Sequence, residues 1–140
     1  MLINLAGHTA IVTGSTAGIG RAIAEGLLAA GASVVINGRG QERVGKALQE
    51  LKQSFPDATI AGVAADLTTA EGAAAVFAQA PKADILINNV GTAEPKPFLE
   101  LTDADWHRIF EINVMSGVRM TRHYLIVSQG VVYEVGGILG

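Results

Sequence analysis

Short apolar runs alternate with longer amphipathic stretches along this chain. Residues 9–13 (TAIVT) are apolar and partly β-branched and end at Gly14, the pattern of a parallel strand buried on both faces. Residues 21–30 read as a helix with Ile23, Leu27 and Ala30 on one face, stopped by Gly31. Residues 33–37 are a second strand. Val44, Leu48, Leu51 and Phe55 then mark one face of a second helix, which Pro56 ends. Residues 59–64 form a third strand, and Thr68 with Glu71, at capping-box spacing, opens a third helix carrying Val76 and Phe77. Residues 84–88 are a fourth strand. Beyond Pro95 and Pro97, Thr102 is the N-cap of a long helix with Trp106, Ile109, Phe110, Asn113, Gly117, Met120 and Tyr124 on one side.

Four strands alternating with helices imply an α/β domain with a doubly wound parallel sheet and right-handed crossovers. Ligands of such sheets bind beyond the carboxyl ends of the strands, so the loops there are where function is expected. At 140 residues the chain suits one domain, residues 1–140, and 49% hydrophobic against 16% charged residues argues against disorder. A net charge of −3, with no basic stripe, argues against nucleic-acid binding. The absence of cysteine excludes disulfides and thiolate metal sites. His107 and Glu111 share a helix face but lack a third ligand, so no metal site is expected. The first residues, MLINL, do not have the form of a signal peptide, and the uncharged span 26–38 is too short to cross a bilayer. A cytoplasmic protein without membrane contact is expected.

The loop after the first strand carries the chemistry. In Gly14-Ser15-Thr16-Ala17-Gly18-Ile19-Gly20, Gly14 permits a sharp turn and Gly18 lets the backbone approach a pyrophosphate. Gly20 lets the helix pack closely, and the helix N-terminus offers free N–H donors to an anion. The result is a Rossmann-type dinucleotide site. Where an NAD enzyme places an acid at the end of the second strand, this chain has Asn37, Gly38 and Arg39. A guanidinium can grip a 2′-phosphate with two hydrogen bonds, so NADP(H) is favoured, with NAD(H) possible.

The glycine spacing, G-x-x-x-G-x-G after Thr13, resembles the short-chain dehydrogenase/reductase family. So do Asp66 after the third strand, Asn88-Asn89-Val90-Gly91 after the fourth, and Asn113 on the long helix. The resemblance implies strand order 3-2-1-4 and an oxidoreductase acting on an alcohol or carbonyl, in a homo-oligomer. It implies that Gly14, Ser15, Gly18, Ile19, Gly20, Arg39, Asp66 and Asn89 bind the cofactor. Asn113 would be the catalytic residue that holds a proton-relay water, with a structural hydrogen bond on the apolar face of its helix as the alternative.

The family's Tyr and the Lys four residues after it have no counterpart here. Tyr124 is followed at that spacing by Ser128 and Tyr133 by Gly137, and both tyrosines read as packing residues. Residues 125–140 resemble the family's last strand and glycine turn, as though a segment were left out after Tyr124. The sheet is therefore expected to be incomplete relative to the family, with one additional terminal strand. These 140 residues alone are expected to be inactive. The alternative reading is a non-catalytic nucleotide-binding fragment or regulatory module.

Overall fold

The computed structural model describes residues 2–127. Four parallel strands, β1 (Thr9–Val12), β2 (Ser33–Gly38), β3 (Ile60–Ala64) and β4 (Ile85–Ile87), form one sheet in the order β3-β2-β1-β4. Helices α1 (Gly18–Ala29), α2 (Gln41–Ser54) and α3 (Ala70–Gln79) connect them. After β4 come a short 3-10 turn (Phe98–Glu100), α4 (Asp103–Phe110), a π turn (Glu111–Met115) and α5 (Ser116–Val127). The expected terminal strand and glycine turn fall largely on residues 128–140, outside the described residues.

Because successive strand residues point to opposite faces, each apolar strand builds two cores at once. Ala10, Val12, Val34, Ile36, Ile85 and Ile87 face α1 and α2, where they meet Ala24, Leu28, Ala47 and Leu51. Ile11, Val35, Val63 and Leu86 face α3 and α5, against Ala73, Val76, Met120 and Tyr124. Helices on both faces leave the carboxyl ends of the strands open, and all the strand-to-helix loops emerge there.

Three local expectations are corrected. The buried face of α1 is Gly20, Ala24 and Leu28, with Ile23 and Leu27 at its margin. Small residues let the helix axis approach the sheet, and a reading weighted towards large side chains passes over them. The third helix is capped by Thr69, whose hydroxyl accepts the Gly72 N–H, and not by Thr68. Thr68 is instead bound to the carboxylate of Asp66. Thr102 caps α4 as expected, in a reciprocal box with Asp105, but the long apolar stripe does not hold. Trp106 and Phe110 are exposed, whereas Met120 and Tyr124 are buried. The π turn inserts an extra residue into the helical path and rotates α5 relative to α4.

Tyr124 is a packing residue, as its sequence context implied. It is 1% exposed and its hydroxyl donates to the Ala80 carbonyl. Burial pushes its ionisation above the ordinary phenol value of 10.0. The stability it supplies is thus fully present below about pH 10, the unfolded-state value, and decays as pH rises beyond it, by up to ~1.4 kcal/mol per pH unit. Tyr124→Phe is expected to cost about 1 kcal/mol at neutral pH through the lost hydrogen bond. The same substitution should flatten the alkaline fall in stability, as read by urea unfolding from pH 8 to 11. An unchanged alkaline slope would contradict this.

Candidate dinucleotide-binding site

At the end of β1 the chain must leave a buried strand without stranding its polar groups. Thr13 solves this towards β4. Its hydroxyl accepts the N–H groups of Asn89 and Val90, at 2.9 and 3.2 Å, and donates to the Ile87 carbonyl. Ser15 solves it towards β2. Its hydroxyl donates to the Val12 carbonyl at 2.6 Å and accepts the Asn37 N–H, while its own N–H bonds the Asn37 carbonyl. Ser15 was expected to touch a cofactor. Its side chain is fully buried with its hydroxyl committed in this knot, so it belongs to the frame of the loop and not to its face.

Asn37 is the residue the sequence reading missed. The sequence pattern marks it only as the absence of an acid. Its carboxamide, 1% exposed, accepts the Gly14 N–H and donates to the carbonyls of Val63 and Ala65. One side chain thereby joins the ends of β1, β2 and β3. The available signal was its place at the end of a fully buried strand, where an unpartnered amide would cost a few kcal/mol.

The three loop glycines differ in what they do. Gly14 and Gly18 both hold φ of 59°, a left-handed conformation that disfavours side chains. A Cβ on Gly18 would meet nothing within 4 Å, so this backbone borders open space. A Cβ on Gly20 would lie 2.4 Å from the Gly14 carbonyl oxygen and 2.5 Å from Asn89 Nδ2. Gly20 is therefore the point of closest approach between α1 and the loops. Asn89 sits in the same junction, its Nδ2 donating to the Gly14 carbonyl at 3.0 Å. The first turn of α1 has no side-chain cap and no acidic residue, and Ile19 stands 73% exposed beside it.

Arg39 and Asp66 are brought to the same edge, at the ends of β2 and β3. Asp66 is held below the usual carboxylate range first by the Thr68 hydroxyl and then by the Thr68 N–H, with a smaller pull from the Arg39 guanidinium. Gly38, between Asn37 and Arg39, leaves room for Thr16, whose methyl would lie 2.6 Å from an added Cβ. The glycine loop and the Arg39 turn are thus in contact.

Across the site, Asn113 lies in the π turn. Its Oδ1 accepts the Thr92 N–H at 2.7 Å and its Nδ2 donates to the Thr92 carbonyl at 2.8 Å. Both ends of its amide are engaged by one residue of the loop after β4, so its side chain works by fixing that loop. Asn88 bonds Thr121 of α5 through Nδ2, and its buried Oδ1 has no partner among the described residues.

The short chain dehydrogenase family profile matches residues 8–135. An uncharacterized oxidoreductase of Bacillus subtilis (strain 168), YvaG, is 50% identical over 125 residues, covering 89% of this chain and 47% of that protein. The 3-oxoacyl-[acyl-carrier-protein] reductase FabG of Aquifex aeolicus (strain VF5) is 35% identical over 129 residues, 89% of this chain and 52% of its own. The crystal structure of L-sorbose reductase from Gluconobacter frateurii, complexed with NADPH and L-sorbose, matches with a TM-score of 0.88 at 33% identity. That match covers 99% of this chain and 57% of the reductase. The chain spans about half the length of the curated relatives it matches. With the strand order it shares and a match running through nearly all of its residues, the chain belongs to the short chain dehydrogenase family.

Proposed function

We propose that this chain is the NADP(H)-binding part of an oxidoreductase that acts on a small alcohol or carbonyl compound. The observation that carries the proposal is the rim at Gly18. A backbone in the left-handed conformation faces open space beside an uncapped helix N-terminus. Free N–H groups and the positive end of the helix dipole suit a pyrophosphate there. The exposed Ile19 gives the adjacent ribose or nicotinamide an apolar surface. Gly14, Gly20 and Asn89 shape the cradle from behind. Arg39 takes the adenosine 2′-phosphate, and Asp66 faces the adenine. The NADPH carried by the sorbose reductase supports this reading.

When bound, NADPH would supply hydride to a carbonyl carbon. The chain's own contribution is to orient the dinucleotide across the strand ends and to hold the loop at Thr92 beside it. Asn113 serves the chemistry as a positioning residue through that loop. A cytoplasmic homo-oligomer is the form this proposal assumes, and the exposed Phe98, Leu99, Trp106 and Phe110 suit an assembly contact.

One observation favours a second reading, a non-catalytic nucleotide-binding or regulatory module. Tyr124 is the only tyrosine among the described residues, and its hydroxyl is buried against Ala80, away from the strand-end loops. Because these 140 residues alone are expected to be inactive, NADPH oxidation with a panel of ketoses and keto acids is assayed on the protein at the full length its source cells make. Turnover there supports the oxidoreductase, and tight NADPH binding without turnover at that length supports the module.

Cofactor preference is tested at Arg39. Arg39→Ala should weaken NADPH by about 1–3 kcal/mol, the range of a charge-assisted hydrogen bond, and leave NADH nearly unchanged in calorimetric titration. Equal losses for both dinucleotides would remove Arg39 from the site. The phosphate cradle is tested at Gly18. Gly18→Val points a branched side chain into the open space at a backbone angle that disfavours it. NADPH binding should vanish while far-ultraviolet circular dichroism stays native. Unchanged affinity would disprove the cradle.

A further inference from the structure

The Asp66 turn is held in place by a residue far from it in sequence. Thr68 gives Asp66 Oδ1 two hydrogen bonds, from its hydroxyl at 2.8 Å and its N–H at 3.0 Å. The Thr68 carbonyl is in turn the acceptor for Nη1 of Arg119, on α5, at 3.1 Å. Arg119 does not reach there loosely. Its Nη2 is paired with Glu111 Oε2 in the π turn at 2.9 Å, and only 20% of its side chain is exposed, against 46% for Glu111. A guanidinium presents several donors in a fixed plane, so binding at one end orients the donor at the other.

The same helical segment grips the opposite side of the site. Asn113 in the π turn holds Thr92, and Thr121 of α5 accepts from Asn88 at the end of β4. Met120 and Tyr124, buried on the face below, lock α5 to the sheet. Three residues of one helical segment, Asn113, Arg119 and Thr121, therefore make polar contacts with loops after two different strands, β3 and β4.

We propose that Arg119 is a positioning residue for cofactor binding: it braces the turn at residues 66–69 against α5, so that the helical segment whose π turn fixes Thr92 also sets where Asp66 meets the adenine. The consequence for affinity rests on the nucleotide reading above. The consequence for the turn does not. A neutral side chain at 119 would leave the Thr68 carbonyl without this donor and let the turn relax away from β3. Asp66 would lose the two Thr68 bonds that hold its carboxylate in the low range.

The test compares wild type with Arg119→Met, which keeps chain length and removes the donors, and with Arg119→Lys, which keeps one. Three readouts are taken: the Asp66 carboxyl titration by carbon-13 NMR, hydrogen exchange at the Thr68 amide, and NADPH affinity by calorimetry. Arg119→Met should move the Asp66 titration up towards the ordinary carboxylate range and speed Thr68 exchange. It should weaken NADPH about fivefold, the scale of one hydrogen bond, with the NADPH-to-NADH preference unchanged. Arg119→Lys should restore part of all three. If Arg119→Met does not fold, Glu111→Ala, at a half-exposed position, should shift the same readouts in the same direction by less. An Asp66 titration and Thr68 exchange identical to wild type in Arg119→Met, or in Glu111→Ala where that variant takes its place, would overturn the proposal. So would a lysine variant as impaired as the methionine one. Wild-type protein that fails to bind NADPH would instead defeat the nucleotide reading, while the first two readouts still decide the brace.

Discussion

A single buried carboxamide ties together the strand ends on which the site is built. Asn37 meets the Gly14 N–H and the carbonyls of Val63 and Ala65, so three strands end in register at one point. In parallel sheets the carboxyl ends of the strands are where backbone groups run out of ladder partners, and each buried orphan is costly. Asn37 and Ser15 absorb these groups on the β2 side, and Thr13 does so on the β4 side. With the frame satisfied from within, the first turn of α1 keeps no side-chain cap. The chain's polar interior and its proposed binding surface are thus two sides of one arrangement.

Much of the fold was legible from local pattern. The four short apolar runs, three to six residues long as strands, alternate with helical stretches as buried parallel strands do, and the glycines after the first of them read as a tight turn into a helix. Thr102 and its helix were legible because a capping box is a local device. What stayed hidden depends on partners distant in sequence. Ser15 looked like a ligand contact because its hydroxyl's partners, Val12 and Asn37, are revealed only when β1 and β2 pair. The tight face of α1 was hidden because Gly20 and Ala24 pack through their smallness. The π turn left no periodic trace, and it undid the stripe drawn through Trp106 and Phe110.

The site residues proposed from sequence divide along the same line. Gly14, Gly18, Ile19, Gly20, Arg39, Asp66 and Asn89 line or frame the strand-end rim, while Ser15 turned out to be internal. Asn113 lies in the π turn, and both ends of its amide are bound to Thr92. Together with Arg119 it makes the helical segment after β4 a brace between the two sides of the site, a role that no spacing rule describes.

The central claim is that the carboxyl edge of this sheet receives an adenine dinucleotide 2′-phosphate along a path from Asp66 and Arg39 over Gly18 to the loop at Thr92. The most direct measurement is amide chemical-shift mapping of the labelled protein titrated with NADPH. The account predicts saturable shifts concentrated at residues 14–20, 38–40, 65–69 and 89–92. Residues 55–59, at the opposite end of the sheet, should stay still. Shifts centred on that opposite end, or no saturable shift at millimolar NADPH, would contradict it.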